Sequence, residues 1–338
     1  MKKQIIRWGM IGCGAVTEKK SGPAFQRVPG SELAMVMRRT PELAADYAKR
    51  HGVPRWTADA NELISDPGVD AVYIATPPGS HAELALRVAA AGKPAYIEKP
   101  LARSAAESEQ IIAAYNVARQ PLFVAYYRRA LPYFREAKSL LESGVIGKVS
   151  EVKIHFRSNS CGNVEAGKLP WRLRAEAAGG GIFMDLACHT LDILDFLLGP
   201  LESVSGTATR RPDAPYAVED HVEMRFRIGA AQGAGSWDFC SSAREDEILI
   251  RGERGNLKLA TFNSPLLVLE TEHGIQKIER PHPAHIQEPL ITTIVAELLG
   301  RGTCPSTGDS ALRTDRVMDA VLADFYGGRS DEFWKRCL

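Results

Sequence analysis

Three residues of this chain have the types and placing of a proton-transfer site: Lys99, Asp185 and His189. Lys99 stands in "YIEKPLARS", where a short apolar run ends in a glutamate, a lysine and a proline. An ammonium at the carboxyl end of a strand can hydrogen-bond a substrate oxygen and stabilise negative charge as an alcohol becomes a carbonyl. The competing structural role is a salt bridge to Glu98, but neighbours on a strand point to opposite faces. In "GGGIFMDLACHTLDIL", Asp185 and His189 are spaced i, i+4, which puts both on one face of an α-helix. An imidazole, with its ordinary pKa of about 6.5, suits general acid/base work at neutral pH. Asp185 would orient the substrate or hold that ring. Gly179, Gly180 and Gly181 just ahead allow close backbone approach to whatever sits there. A single histidine on such a helix more often serves packing. With an aspartate and a strand-end lysine beside it, the balance moves to catalysis.

These residues need a scaffold, and the first third of the chain alternates in a βαβ rhythm. "IIRWGMIG", "ELAMVMRR", "VDAVYIATP", "PAYIEKP" and "QPLFVAYYRR" read as strands, with helical patterns such as "ELAADYAKRHG" and "SHAELALRVAAAGK" between them. Gly52 and Gly92 stand where helix ends want a left-handed residue. This pattern predicts an α/β domain on a mostly parallel sheet covered on both faces. Beyond it, "VSEVKIHFRS", "DHVEMRFRI", "AAQGAGSWDFC", "DEILIRGERGNLKLA" and "LLVLETEHGIQKIER" read as successive strands joined by turns, which favours an antiparallel sheet. The boundary is expected after residue 125, giving domains 1–125 and 126–338, with the C-terminal helices free to pack back on the first. "GIFMDLACHTLDILDFLLG" is expected to be one helix, with Asp192 and Asp195 on its surface or behind the site. Trp237 and Phe239 read as sheet packing.

"GMIGCGAVTEKK" follows the first strand and opens a helix. Gly12 and Gly14 fill the first two places of a G-x-G-x-x-G fingerprint, and Thr17 takes the third. The first glycine permits a tight turn and the second lets backbone approach a pyrophosphate. Ala15 and Val16 then open the helix, with N–H groups turned toward an anion. At the end of the second strand, "MVMRRTPE" offers Arg38, Arg39 and Thr40, with no carboxylate at 37–40 to hold a ribose hydroxyl. A guanidinium grips phosphate oxygens in a fork, so NADP(H) is preferred over NAD(H).

Composition narrows the classes further. The 338 residues are 45% hydrophobic and 25% charged, a globular balance with room for two domains. Lys+Arg at 42 against Asp+Glu at 41 leaves a net charge of +1, which predicts no nucleic-acid or anionic-membrane partner. Six dispersed cysteines form no C-x-x-C pair, so neither a metal site nor a disulfide framework is expected. With no membrane-spanning apolar run and no signal-peptide cleavage site in "MKKQIIRWGMIG", the expected location is the cytoplasm.

The motifs "GMIGCGAV", "DPGVDAVYIATPPGSHAELALRVAAAGKPAYIEKP" and "WRLRAEAAGGGIFMDLACHTLDIL" together resemble the Gfo/Idh/MocA family of NAD(P)-dependent oxidoreductases over nearly the whole chain. The resemblance implies a Rossmann domain and a second α+β domain on an open, mainly antiparallel sheet, whose exposed face commonly makes a homodimer or homotetramer. It implies the catalytic set Lys99, Asp185 and His189. Thr76, Pro77, His81, Glu98 and Lys99 are expected along the cofactor cleft. Lys99, Tyr126, Arg128, Trp171, Arg172, Asp185 and His189 are expected to meet substrate. The tyrosines of "VAYYRRALP" depart from the asparagine-containing stretch of many relatives. The expected activity is hydride transfer between nicotinamide and a secondary alcohol of a sugar, inositol or related polyol. Two alternatives stand beside it: a non-catalytic NAD(P)-binding regulator, and an enzyme acting on a non-carbohydrate such as a dihydrodiol or linear tetrapyrrole. The polar loop "RSNSCGNVEAGKLPWR" leans toward a polyhydroxylated ligand.

Overall fold

The computed structural model describes residues 4–161, 164 and 168–337, so the polar loop just quoted falls partly outside the described residues. The chain forms two compact units, Met1–Ala102 with Glu107–Leu131 and Pro283–Ala311, and Arg103–Ala106 with Pro132–His282 and Leu312–Leu338.

The first unit holds six strands, all but the third of them short apolar runs largely buried on both faces. They are β1 (Ile6–Ile11), β2 (Ser31–Met37), β3 (Arg55–Thr57), β4 (Ala71–Ile74), β5 (Ala95–Ile97) and β6 (Leu122–Val124). They lie in the order β3-β2-β1-β4-β5-β6, with every pair parallel. The edge strand β3 carries no apolar run, and its sequence did not announce it. The connecting helices are α1 (Ala15–Lys19), α2 (Gly22–Arg27), α3 (Pro41–His51), α4 (Ala60–Ser65), α5 (His81–Ala90) and α6 (Ala105–Ala118). Gly52 and Gly92 do end α3 and α5 with left-handed φ of 65° and 67°. Trp8, Phe25, Tyr73 and Tyr96 fill the core on one face, with Tyr73 and Tyr96 stacked at 4.8 Å.

The register of this sheet positions its chemistry. Met37 pairs with Ile11, Ile11 with Ile74, Ile74 with Ile97, and Ile97 with Val124. The residues that follow each of these therefore leave the sheet along one edge, at the carboxyl ends of parallel strands. The unit runs on to Leu131 rather than stopping after residue 125. Ala125 N–H still bonds the Ile97 carbonyl, and the turn Tyr127–Ala130 is buried.

The second unit opens with α7 (Pro132–Glu142) and β7 (Val149–Arg157), followed by α8 (Ala175–Ala178) and α9 (Cys188–Leu198). Then come β8 (Glu202–Thr209), β9 (His221–Ile228), β10 (Ala231–Asp238), β11 (Glu245–Gly252), β12 (Gly255–Leu259), β13 (Leu266–Thr271) and β14 (Gly274–Glu279). The sheet order is β14-β13-β12-β11-β7-β10-β9-β8, antiparallel except for the β7–β10 pair. Alternation sorts the faces: on β9, Val222, Met224, Phe226 and Ile228 are buried while Glu223, Arg225 and Arg227 are exposed. On the buried face, Trp237 meets Phe183 edge-on at 5.2 Å. The opposite face carries a shallow concavity of about 500 Å³ lined by Lys153, His155, Thr207, Glu223 and Arg225.

The chain then returns to the first unit as α10 (Glu288–Leu298), and the long α11 (Gly308–Tyr326), most of it in the second unit, is followed by a short helical turn at Phe333–Cys337. Among the described residues no helix is long and apolar enough to cross a membrane.

Candidate active site

The edge defined by the sheet register begins with the glycine turn. Gly12 has φ of +92°, and a Cβ there would lie 2.8 Å from Thr76 and 3.0 Å from the Ala75 backbone. Its first service is thus to let β1 and β4 end side by side. Gly14 is different. A Cβ on it would meet nothing closer than the Gly12 carbonyl at 3.8 Å, so open space lies above the loop, as an approaching pyrophosphate requires. Gly14 is the N-cap of α1, so the N–H groups of Ala15 and Val16 open that helix without intrahelical partners. Thr17, in the third glycine's place, is buried and turns its hydroxyl back to the Gly14 carbonyl at 2.8 Å. The helix is only a turn long and restarts at α2, whose first residues are Gly22 and Pro23. After β2, Arg38 folds over this loop and donates to the Cys13 carbonyl at 3.1 Å, while Arg39 and Thr40 are exposed. The turn residues thus leave room for a dinucleotide, and the residues that would hold it are Gly12, Gly14, Ala15, Val16 and the arginine pair.

Further along the same edge come Thr76, half-buried, and Pro77, exposed, after β4. Lys99 follows β5, half-buried, and precedes a cis peptide to Pro100. Two expectations change here. His81 is fully buried rather than lining a cleft: Nδ1 faces the carbonyls of Pro100 and Leu101 at 3.1 and 3.2 Å, and Nε2 faces Thr76 at 2.8 Å. Burial holds its pKa below the ordinary histidine value, against the pull of those carbonyls. His81 therefore ties the loops after β4 and β5 together. Glu98 is also buried, and its Oε1 accepts from Tyr73 OH at 2.6 Å and from Gln287 Nε2 at 2.7 Å. One oxygen of its carboxylate is thus engaged with protein rather than turned to a cleft. Tyr126 is fully enclosed and Arg128 nearly so, with its guanidinium 4.9 Å from the Tyr127 ring. The expected substrate contact of Tyr126 gives way to packing, because an enclosed phenol has no surface to offer.

In the second unit, the expected regular helix opens instead with a π-turn, Phe183–Ala187, before α9. Asp185 lies in that turn and His189 in the first turn of α9, so their separation is not the simple α-helical i, i+4. Such turns occur often at functional sites. Asp185 is joined to Arg172, whose Nε donates to Oδ2 at 2.7 Å, and the guanidinium lies 4.4 Å from the Trp171 ring. Trp171, Arg172 and Asp185 form one assembly, with the arginine half exposed. His189 is nearly buried, edge-on to Phe262 at 5.8 Å. The triple glycine serves packing rather than ligand approach. A Cβ on Gly179 would lie 2.7 Å from the Arg103 backbone, and one on Gly181 would lie 2.4 Å from the Glu219 carbonyl. Glu219 is buried and accepts from Gly181 N–H at 2.8 Å and Tyr326 OH at 2.5 Å, and burial raises its pKa. Asp192 and Asp195 are buried, not on the helix surface, and Arg313 grips Asp195 with two bonds of 2.7 Å.

Glu219, Gln287 and Arg313 were not foreseen. Each is a single polar residue whose partner lies far away in sequence, 189 positions in the case of Gln287 and Glu98. No local motif marks them.

A parallel sheet with a glycine turn at its first βα junction makes the first unit a dinucleotide-binding domain of the Rossmann type. Family models agree: that of the oxidoreductase family's NAD-binding Rossmann fold matches residues 6–126, and that of the GFO/IDH/MocA C-terminal domain matches residues 134–258. Oxidoreductase P35 of Formosa agariphila is 36% identical over 316 residues, spanning 93% of this chain and 97% of that protein. The scyllo-inositol 2-dehydrogenase (NAD(+)) of Bacillus subtilis is 31% identical over 202 residues, 60% of this chain and 56% of that one. A levoglucosan dehydrogenase solved in complex with NADH and levoglucosan matches with a TM-score of 0.86 at 23% identity, covering 95% of this chain and 97% of its own, a likeness of fold. The chain belongs to the Gfo/Idh/MocA family of oxidoreductases.

Proposed function

We propose that this protein is an NADP-dependent oxidoreductase acting on a secondary alcohol/ketone pair of a sugar, inositol or related polyol. The observation that carries the proposal is the register row Met37–Ile11–Ile74–Ile97, which sends Arg38, the glycine turn, Thr76 and Lys99 out along one sheet edge. A bound dinucleotide supplies the hydride acceptor. Gly12, Gly14, Ala15 and Val16 take its diphosphate, Arg38, Arg39 and Thr40 its 2′-phosphate, and Thr76 and Pro77 flank it. Lys99 Nζ donates to the reacting oxygen and stabilises the charge that grows there. His189 accepts the hydroxyl proton and returns it in the reverse direction. Asp185, held by Arg172, orients the substrate beside Trp171.

The substrate class is supported by the relatives named for an inositol and for levoglucosan. Those same names carry NAD(+) and NADH, whereas here two arginines and no carboxylate follow β2, which supports NADP(H). The exposed polar face of the second sheet suits association of identical copies, as dimer or tetramer. Six cysteines outside any disulfide suit a reducing cytosol.

The test is steady-state turnover of a polyol and ketose panel by the wild type, Lys99→Met and His189→Ala. We expect each variant to lose about a thousandfold or more in kcat/KM. Near wild-type rates in both would refute these roles, and tight NADPH binding with no turnover at all would favour a dinucleotide-sensing regulator. For the cofactor, Arg38→Asp with Arg39→Ala should weaken NADPH binding far more than NADH binding. An equal loss would remove the 2′-phosphate role.

A further inference from the structure

We propose that Gln287 is a positioning residue for Lys99, acting through the carboxylate of Glu98. The proposal rests on the catalytic role given to Lys99 above. Gln287 is fully buried at the N-cap of α10, on the segment that returns to the first unit after the second sheet. Its Nε2 donates to Glu98 Oε1 at 2.7 Å, and its own Oε1 accepts from Tyr96 OH at 2.7 Å. Tyr73 OH gives its single proton to the same Glu98 oxygen at 2.6 Å, so the Ser21 hydroxyl, 3.1 Å away, donates to Tyr73. The backbone N–H of Gln287 donates to the Lys20 carbonyl at 3.2 Å, and His285 Nδ1 meets the Lys19 carbonyl at 2.9 Å.

One residue of α10 thus joins the end of β5, immediately before Lys99, to the end of α1, the helix that carries the glycine turn. On the far side of Lys99, His81 engages the carbonyls of Pro100 and Leu101. The lysine backbone is gripped on both flanks by side chains distant in sequence.

The amide is the right group for this place. A buried carboxylate needs donors, and a buried phenol needs an acceptor. A glutamine provides one of each without adding charge. Leucine at 287 would leave Glu98 short of a donor and Tyr96 short of an acceptor. Glutamate would set two carboxylates against each other. Either change frees the stretch that carries Lys99, and displacing a catalytic group by about an ångström costs on the order of a hundredfold in rate.

The experiment compares the wild type, Gln287→Leu, the exchange Glu98→Gln with Gln287→Glu, and Glu288→Gln as a control. Glu288 follows it as the first residue of α10, and its carboxylate, a third exposed, accepts from Arg27 Nε at 3.2 Å. The exchange keeps the same partners with directions reversed: the amide nitrogen now at 98 donates to the carboxylate at 287 and to Tyr73 O, and the Tyr73 proton turns to Ser21 Oγ. We expect Gln287→Leu to lose about tenfold or more in kcat with little change in the KM for polyol. The exchange should recover most of that loss, and the control should match the wild type. A second readout needs no turnover: the rate at which an amine-reactive reagent labels Lys99 relative to exposed Lys49, followed by peptide mass spectrometry. That ratio should shift severalfold in Gln287→Leu and return in the exchange. If Gln287→Leu fails to fold, Gln287→Glu takes its place in both readouts. Unchanged kcat and labelling, or an exchange no better than the single variant, overturns the proposal. If the wild type turns over no polyol, the proposed function fails on its own, and the labelling ratio still decides whether Gln287 positions Lys99.

Discussion

The loop after β5 in the first unit and the π-turn before α9 in the second each carry residues proposed for catalysis, but they are held differently. Lys99 sits on a short irregular stretch with no helix or ladder of its own. Polar side chains hold it, His81 through carbonyls on one flank and Glu98 with Gln287 on the other. Asp185 and His189 sit on regular backbone that supplies its own hydrogen bonds. That backbone is also closely seated: the glycines just ahead of it have no room for a side chain beside Arg103 and Glu219, and Gly181 N–H donates to the Glu219 carboxylate. Loops after parallel strands lack internal partners and must borrow them, whereas a helix needs only a seat. The two regions should therefore fail differently, one to loss of a hydrogen bond and the other to added volume.

The largest effect expected on this view is that of Gly181→Ala. Its methyl would lie 2.4 Å from a buried backbone carbonyl, so the turn must move, at a cost of about 3 kcal/mol. Denaturant unfolding should show this, together with a loss of activity larger than that of any conservative change in the first unit's loop. A cost below about 1 kcal/mol would mean the seat is soft and the contrast false. Next comes His81→Ala, which removes the partner of buried carbonyls and should cost about 2 kcal/mol. Its activity loss should appear in kcat rather than in folding yield. An unchanged kcat would show that Lys99 does not depend on this grip.

The smallest effect belongs to Glu18 on α1, whose carboxylate is paired with Arg50 and His51 of α3. Those partners hold its pKa near about 2, below the usual carboxylate range. Its stabilisation is present above the ordinary glutamate pKa of about 4.3 and is lost as pH falls toward about 2. The group is a third exposed, so Glu18→Gln should cost only about 0.5–1 kcal/mol at pH 7. The difference from the wild type should vanish in acid. A gap that stays constant between pH 7 and pH 3 would show that the ion pair contributes nothing.

Local signals carried much of this. Continuous apolar runs marked β1, β2, β4 and β5, because strands covered on both faces need no alternation. The glycine spacing of "GCGAV" marked the turn, because glycine suits the φ of +92° at Gly12 and leaves open space above the loop at Gly14. Lys99, Asp185 and His189 stood out by type and spacing. Misjudged residues were those whose role depends on where a side chain ends. His81 and Glu98 look like cleft residues in sequence, yet each is turned inward to hold a loop. Tyr126 looks like a substrate contact and is enclosed.

By itself, the order of residues determined the parallel sheet, the antiparallel sheet, the glycine turn and the types of group fit for proton and hydride chemistry. These follow from backbone preferences and hydrophobic period within a dozen or so neighbours. Only the tertiary structure decided the register row that gathers Arg38, Gly12, Thr76 and Lys99, the π-turn under Asp185, and the bond from Gln287 to Glu98. Pairings of that kind join distant segments, and the free energy that selects them comes from burial of the whole unit rather than from any short stretch of chain.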